Sequence, residues 1–167
     1  MTTVTFEGNP VSLNDEMPAV GSAAPEFSLT GGDLVDKSLQ DYRGKKVLLN
    51  IVPSLDGSET CQLSTRKFNQ AIDARDDVAC LVVSADLPFA SGRFCGAEGL
   101  ENIQTMSMLR NKKFAEDYGV LINAGALQGL TCRAIVVINE EGNIAYTQLV
   151  SEIVDEPDYD AAMQALN

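Results

Sequence analysis

The segment from Lys46 to Phe68 constrains this chain more than any other part of it. Lys46-Val47-Leu48-Leu49-Asn50-Ile51-Val52 is a short, nearly continuous apolar run, the pattern of a strand covered on both faces. Pro53 has no N–H to give to a ladder, so the strand is expected to stop there. A loop rich in Asp, Gly and Ser follows, and behind it a helical pattern from about Thr60 to Asp73. Leu63, Lys67 and Ala71 fall on one row of that helix, with Phe68 beside them. Cys61 therefore stands where a loop becomes the first turn of a helix. The leading N–H groups of a helix lack intrahelical partners, and its dipole favours negative charge there. Thiolate, the nucleophilic form of cysteine, is favoured in such a place. The remainder of the chain reads as a support for this cysteine.

Val4-Thr5-Phe6 and Val11-Ser12-Leu13 flank Glu7-Gly8-Asn9-Pro10 and predict an N-terminal β-hairpin. Met17 to Gly32 reads as loop-rich connection, and Leu39 to Gly44 as a helical turn at most. Val78 to Ser84 and Ala134 to Ile138 are two further buried strands. Pro88 to Gly99, which holds Cys95, has no clear period. Ile103 to Met108 predicts a short strand and Lys112 to Tyr118 a helix stopped by Gly119. Glu140-Glu141-Gly142-Asn143 turns the Ala134 strand back into Ile144 to Val150. Pro157 opens an amphipathic C-terminal helix over Tyr159, Ala162, Met163 and Leu166. This order is best satisfied by an α/β fold, a thioredoxin-like mixed central sheet with flanking helices and an N-terminal hairpin. With 167 residues, positions 1–167 are expected to form one domain.

Composition excludes whole classes of function. There is no His, which removes Ser-His and Cys-His hydrolases, His-ligated metals and imidazole acid–base chemistry. The net charge of −12 argues against nucleic-acid or anionic-membrane binding, both of which need a basic surface. No apolar run approaches a membrane span, and the first residues carry no signal-peptide pattern. A cytoplasmic location is expected. Cys61, Cys80, Cys95 and Cys132 contain no CxxC pair, so neither a zinc ribbon nor a thioredoxin-type dithiol is supported. No cofactor or metal is expected. Scattered cysteines in such a chain either pack or carry redox chemistry.

Pro53-Ser54-Leu55-Asp56 before Cys61 and Arg66-Lys67-Phe68-Asn69 after it resemble the reactive site of the peroxiredoxins. Ser84-Ala85-Asp86-Leu87-Pro88-Phe89-Ala90, with Arg93-Phe94-Cys95-Gly96-Ala97-Glu98-Gly99, resembles their bacterial thiol peroxidase subfamily more specifically. These are atypical two-cysteine peroxiredoxins. Phe6-Glu7-Gly8-Asn9-Pro10 and Glu156-Pro157-Asp158-Tyr159 match it near the termini, so the resemblance spans essentially the whole chain. It implies a thiol-dependent peroxidase for hydrogen peroxide and organic hydroperoxides. Cys61 would be the peroxidatic cysteine and would pass through a sulfenic acid. Cys95 would resolve it as an intramolecular disulfide, and thioredoxin would reduce that bond. Arg133 would supply the cation, Ser58 a hydroxyl three residues before the cysteine, and Pro53 a shield against water. A homodimer is the usual assembly of such proteins. A disulfide needs Cα atoms within roughly 7 Å, so local unwinding around both cysteines is implied. This chain has one residue more between Pro53 and Cys61 than the family pattern, and Glu59 adds a negative charge beside the sulfur.

Read without the resemblance, several of these residues have plainer roles. Cys80 alternates as a buried small hydrophobe, and Cys132 is either a passive pocket residue or a second thiol under the same arginine. Ser58 is an ordinary helix N-cap as readily as a catalytic hydroxyl. Two other functions use the same features. A peroxide sensor would keep Cys61 and Cys95 but turn over slowly, and a thioredoxin-like binding domain would need neither.

Overall fold

The computed structural model describes residues 2–167. The described residues form nine strands, four α-helices and one 3-10 turn at Leu39–Tyr42. The strands are β1 (Thr3–Phe6), β2 (Asn9–Ser12), β3 (Ser28–Gly31), β4 (Asp36–Ser38), β5 (Lys46–Ile51), β6 (Val78–Ser84), β7 (Ile103–Ser107), β8 (Ala134–Ile138) and β9 (Ile144–Leu149). The helices are α1 (Glu59–Ala71), α2 (Pro88–Glu98), α3 (Lys113–Asp117) and α4 (Tyr159–Ala165). Seven strands make one sheet in the order β4-β3-β7-β6-β5-β8-β9. β5, β6 and β7 run parallel, while β8 lies antiparallel to β5 and β3 antiparallel to β7. This is the expected mixed thioredoxin-like sheet. No helix among the described residues is long and apolar enough to cross a membrane.

Parity along the central strands divides the core in two. Leu48, Cys80, Val82, Ile135 and Val137 face α1 and α4. Val47, Leu49, Ile51, Leu81 and Val136 face α3 and the N-terminal hairpin. Both faces are therefore buried, as the continuous apolar runs require. On α1 the buried stripe is Cys61, Ser64, Thr65 and Phe68, with Ile72 just past its end. The row Leu63, Lys67, Ala71 faces solvent.

Several elements depart from the sequence reading. The N-terminal hairpin turns on Glu7 and Gly8 alone, both at positive φ (50° and 81°), while Asn9 and Pro10 already pair with Phe6 and Thr5. Such a two-residue turn matches the strand twist. The β8–β9 pair closes from Ile138 to Ile144, so Asn139 belongs to the turn as well. β3 lies in the stretch read as loop-rich connection, and β4 in one with no element assigned; they form an edge pair too short and too polar to show alternation. Pro88–Glu98 is a regular helix whose only buried residues are Pro88 and Ser91, so it has no apolar stripe for a sequence to display.

Gly119 ends α3 at φ +69°, and a Cβ there would lie 2.1 Å from the Glu16 carbonyl oxygen. Gly119→Ala is expected to destabilise the protein by roughly 2–4 kcal/mol through backbone strain and this clash. Gly125→Ala, at φ +83° with nothing within 4 Å, is expected to cost only ~1 kcal/mol. Urea unfolding of the two variants, at unchanged m-value, checks the difference.

Candidate active site

β5 delivers the chain to the site. The Val52 N–H still donates to Val83 (3.0 Å), and then buried Pro53 ends the ladder. The following turn is held by Asp86, just beyond β6. Its carboxylate accepts from Ser54 Oγ (2.6 Å), the Leu55 N–H (2.7 Å) and Ser84 Oγ (2.8 Å). The Leu55 carbonyl accepts from Gln62 Nε2 of α1 (2.9 Å). One loop residue is thus fixed on one side to β6 and on the other to the helix.

Ser58 is the N-cap of α1, and its Oγ accepts from the Cys61 N–H (3.3 Å). Substituting a capping serine costs about 1 kcal/mol. Cys61, third residue of the helix, is fully buried (0% exposed). Its carbonyl accepts from both Ser64 Oγ (3.0 Å) and Thr65 Oγ1 (2.8 Å). Asn50 of β5 donates in turn to Ser64 Oγ (3.2 Å).

Arg133 stands just before β8, 72 residues further on, and its Nη2 donates to Cys61 Sγ at 3.4 Å. The guanidinium is 1% exposed. Its Nε donates to the Ile153 carbonyl (2.9 Å), while Nη1 is buried with no hydrogen-bond partner. Arg133 forms no salt bridge among the described residues. A buried cation without a carboxylate is costly; here the group facing it is a sulfur, which offsets that cost when ionised. Nη1 leaves one donor unsatisfied.

The 151–154 segment braces this arrangement. Ile153 holds Arg133, and the Val154 carbonyl accepts from Thr60 Oγ1 at the start of α1 (3.0 Å). Glu152, just before them, accepts from the Gly8 N–H (2.8 Å) and Thr5 Oγ1 (3.0 Å) of the N-terminal hairpin. Its carboxyl is held below the usual range mainly by the Gly8 N–H.

All four cysteines are free thiols. Cys95, half-buried in the last turn of α2, packs against the same apolar cluster as Cys61, and burial pushes its thiol up. Cys80 is buried and pushed up to about 12 by that burial, in keeping with a packing role. Cys132 is also pushed up to about 12, burial outweighing the neighbouring Arg133. It belongs to the core on the opposite face of the sheet from Cys61, so it does not share the Cys61 environment. Of the candidate residues, then, Cys61, Ser58 and Arg133 are joined by direct contacts, Pro53 is buried at the strand end, and Cys95 stands on its own helix. Sequence reasoning missed Asp86, Gln62 and the Ile153 carbonyl. The Ser84-Ala85-Asp86 stretch did signal a special segment, but only the fold brings Asp86 beneath the loop.

The redoxin family profile matches residues 19–163. A thiol peroxidase of Mycobacterium tuberculosis is 52% identical over 166 residues, covering 99% of each chain. The chain belongs to the redoxin family, in its thiol peroxidase group. Two solved redoxin structures are close in shape. A peroxiredoxin-like protein from Aquifex aeolicus superposes with a TM-score of 0.93 at 40% identity, over 99% of this chain and 96% of that one. A thiol peroxidase from Chromobacterium violaceum gives 0.90 at 26% identity, with the same coverage. The redoxin fold thus extends along the whole described chain, N-terminal hairpin included.

Proposed function

We propose that this protein, a thiol-dependent peroxidase, reduces hydrogen peroxide and organic hydroperoxides with Cys61 as the attacking thiolate. The observation that carries the reading is Arg133: buried, with no ion pair among the described residues, one nitrogen on Cys61 Sγ and another without a partner there. The thiolate attacks one peroxide oxygen, the O–O bond breaks, and the departing oxygen leaves as alkoxide or hydroxide and takes up a proton. The sulfur becomes a sulfenic acid. The free Arg133 nitrogen suits the developing negative oxygen, a donor already in place before charge appears. Pro53, buried beside the loop, limits water. Ser58 serves first as the cap that keeps the Cys61 turn helical, and its hydroxyl also lies in reach of that turn's polar end.

Cys95 then attacks the sulfenic sulfur. An S–S bond forms, the S–O bond breaks, and hydroxide leaves with the Cys95 proton as water. Thioredoxin reduces the bridge by dithiol exchange. The protein acts as one domain, in the cytoplasm, as a homodimer, in antioxidant defence and redox homeostasis.

Mass spectrometry with peptide mapping, before and after one equivalent of cumene hydroperoxide, tests the cycle. A Cys61–Cys95 bridge with loss of two hydrogens is expected. Oxygen gained at Cys61 without a bridge would remove Cys95 from the cycle. No change at all would overturn the peroxidase chemistry and favour a sensor that needs a partner.

A further inference from the structure

The helix that carries Cys95 is held at its two ends by very different means. At the start, Asp86 is fixed to the Cys61 loop by its carboxylate, and its carbonyl accepts from Ser107 Oγ (2.6 Å). Past that end α2 rests on its partly buried Phe94 and Cys95, which pack against the same apolar cluster as Cys61. It buries only Pro88 and Ser91 and has no side-chain N-cap. Gly92 and Gly96 lie in its interior, and a Cβ at either would meet nothing within 4 Å. Packing therefore does not require glycine at these positions, and each weakens the helix relative to alanine.

The far end is held from α1 by Arg66. Its Nη2 donates to Glu98 Oε1 at 2.6 Å, and its guanidinium stands 5.5 Å from the centre of the Phe94 ring. Arg66 thus grips the residue before Cys95 and the residue one turn after it, from the helix that bears Cys61. Both charged partners are partly exposed (41% and 35%), so the contact is screened by salt and readily broken. The Arg66 hydrogen bond holds the Glu98 carboxyl below its usual range.

We propose that Arg66 is a latch on the resolving segment: it keeps the Cys95 turn helical and apart from Cys61 until that turn unwinds. This rests on Cys95 being the resolving thiol. Each cysteine sits inside a helix, Cys61 in α1 and Cys95 in α2. An S–S bond needs the two Cα atoms within roughly 7 Å with the side chains facing one another, an approach the latch reading assigns to opening of the Cys95 turn. Opening the Cys95 turn separates Phe94 and Glu98 from Arg66, so the latch opposes disulfide formation. Arg66 is a positioning residue, because it contacts neither sulfur. Its effect falls on the competition for the sulfenic acid. Either Cys95 displaces hydroxide from it, or a second hydroperoxide transfers an oxygen to it, leaves as alcohol, and produces the sulfinic acid.

The experiment is quenched single-turnover mass spectrometry with cumene hydroperoxide on wild type, Arg66→Ala, Glu98→Gln and the charge swap Arg66→Glu/Glu98→Arg. Both single variants are expected to form the Cys61–Cys95 bridge roughly two- to tenfold faster and to yield less sulfinic acid in excess peroxide. The initial loss of Cys61 thiol should be unchanged, and the swap should move back toward wild type. Raising the salt concentration should speed bridging in wild type and not in Glu98→Gln. A destabilised fold would slow the first step as well, so a gain confined to the second step is the latch's signature. Bridging that is unchanged or slower in Glu98→Gln, with wild type bridging normally, overturns the latch alone. Absence of the bridge in wild type overturns the reading on which it rests.

Discussion

Cys61→Ser is expected to bring peroxide consumption down to background, a fall of at least ~10³-fold. The substitution keeps the helix start almost isosteric, so the Ser58 cap and the hydroxyls on the Cys61 carbonyl stay in place. What disappears is an ionisable sulfur facing Arg133. No other thiol can stand in for it. Cys80 and Cys132 are buried and pushed up to about 12, and Cys132 lies on the other face of the sheet. Cys95 is pushed up by burial and has no cation on its sulfur among its hydrogen-bond partners. The check is hydroperoxide loss with a dithiol reductant, with circular dichroism to confirm the fold. Turnover within tenfold of wild type would mean that the nucleophile lies elsewhere.

The contrast among these four thiols shows what the sequence could and could not convey. The placement of Cys61 was legible because local signals agree: an apolar run, a proline that ends it, a polar loop and a helical period. The central strands were legible for the same reason, since burial on both faces leaves uninterrupted apolar runs. α2 was not legible as a helix, because a helix that buries only two residues shows no periodic stripe. The segment Cys95 occupies was recognisable only by its resemblance to a family. Cys132 illustrates a different limit. Its neighbour in the chain, Arg133, points to α1, while Cys132 itself packs on the far side of the sheet. Adjacency in sequence next to a strand means opposite faces in space, which reverses the inference that the arginine would serve both thiols. Asp86 was invisible for a further reason. Its carboxylate joins Ser84 at the end of β6 to Ser54 and Leu55 of the loop before α1, and no local pattern encodes such a meeting.

Arg133 is where the largest effect short of losing the nucleophile is expected. Arg133→Met keeps much of the volume and removes the charge and all the donors. The first-step rate with hydroperoxide should fall by ~10²–10³-fold, the usual consequence of removing a preorganised donor from a buried site. Arg133→Lys should fall between Met and wild type. A single ammonium can meet either Cys61 Sγ or the Ile153 carbonyl, but it cannot reproduce the fork that holds both and still leaves Nη1 free. Stopped-flow measurement of the first step at neutral pH reads the effect on each variant. An unchanged rate at neutral pH would remove it from the chemistry and leave its burial opposite Cys61 as packing alone. The loss of the Ile153 contact also frees the 151–154 brace, and thermal unfolding of Arg133→Met and Arg133→Lys shows how much of any rate change is structural. Because Lys retains the charge but not the fork, a difference in rate at equal stability assigns the effect to geometry at the sulfur.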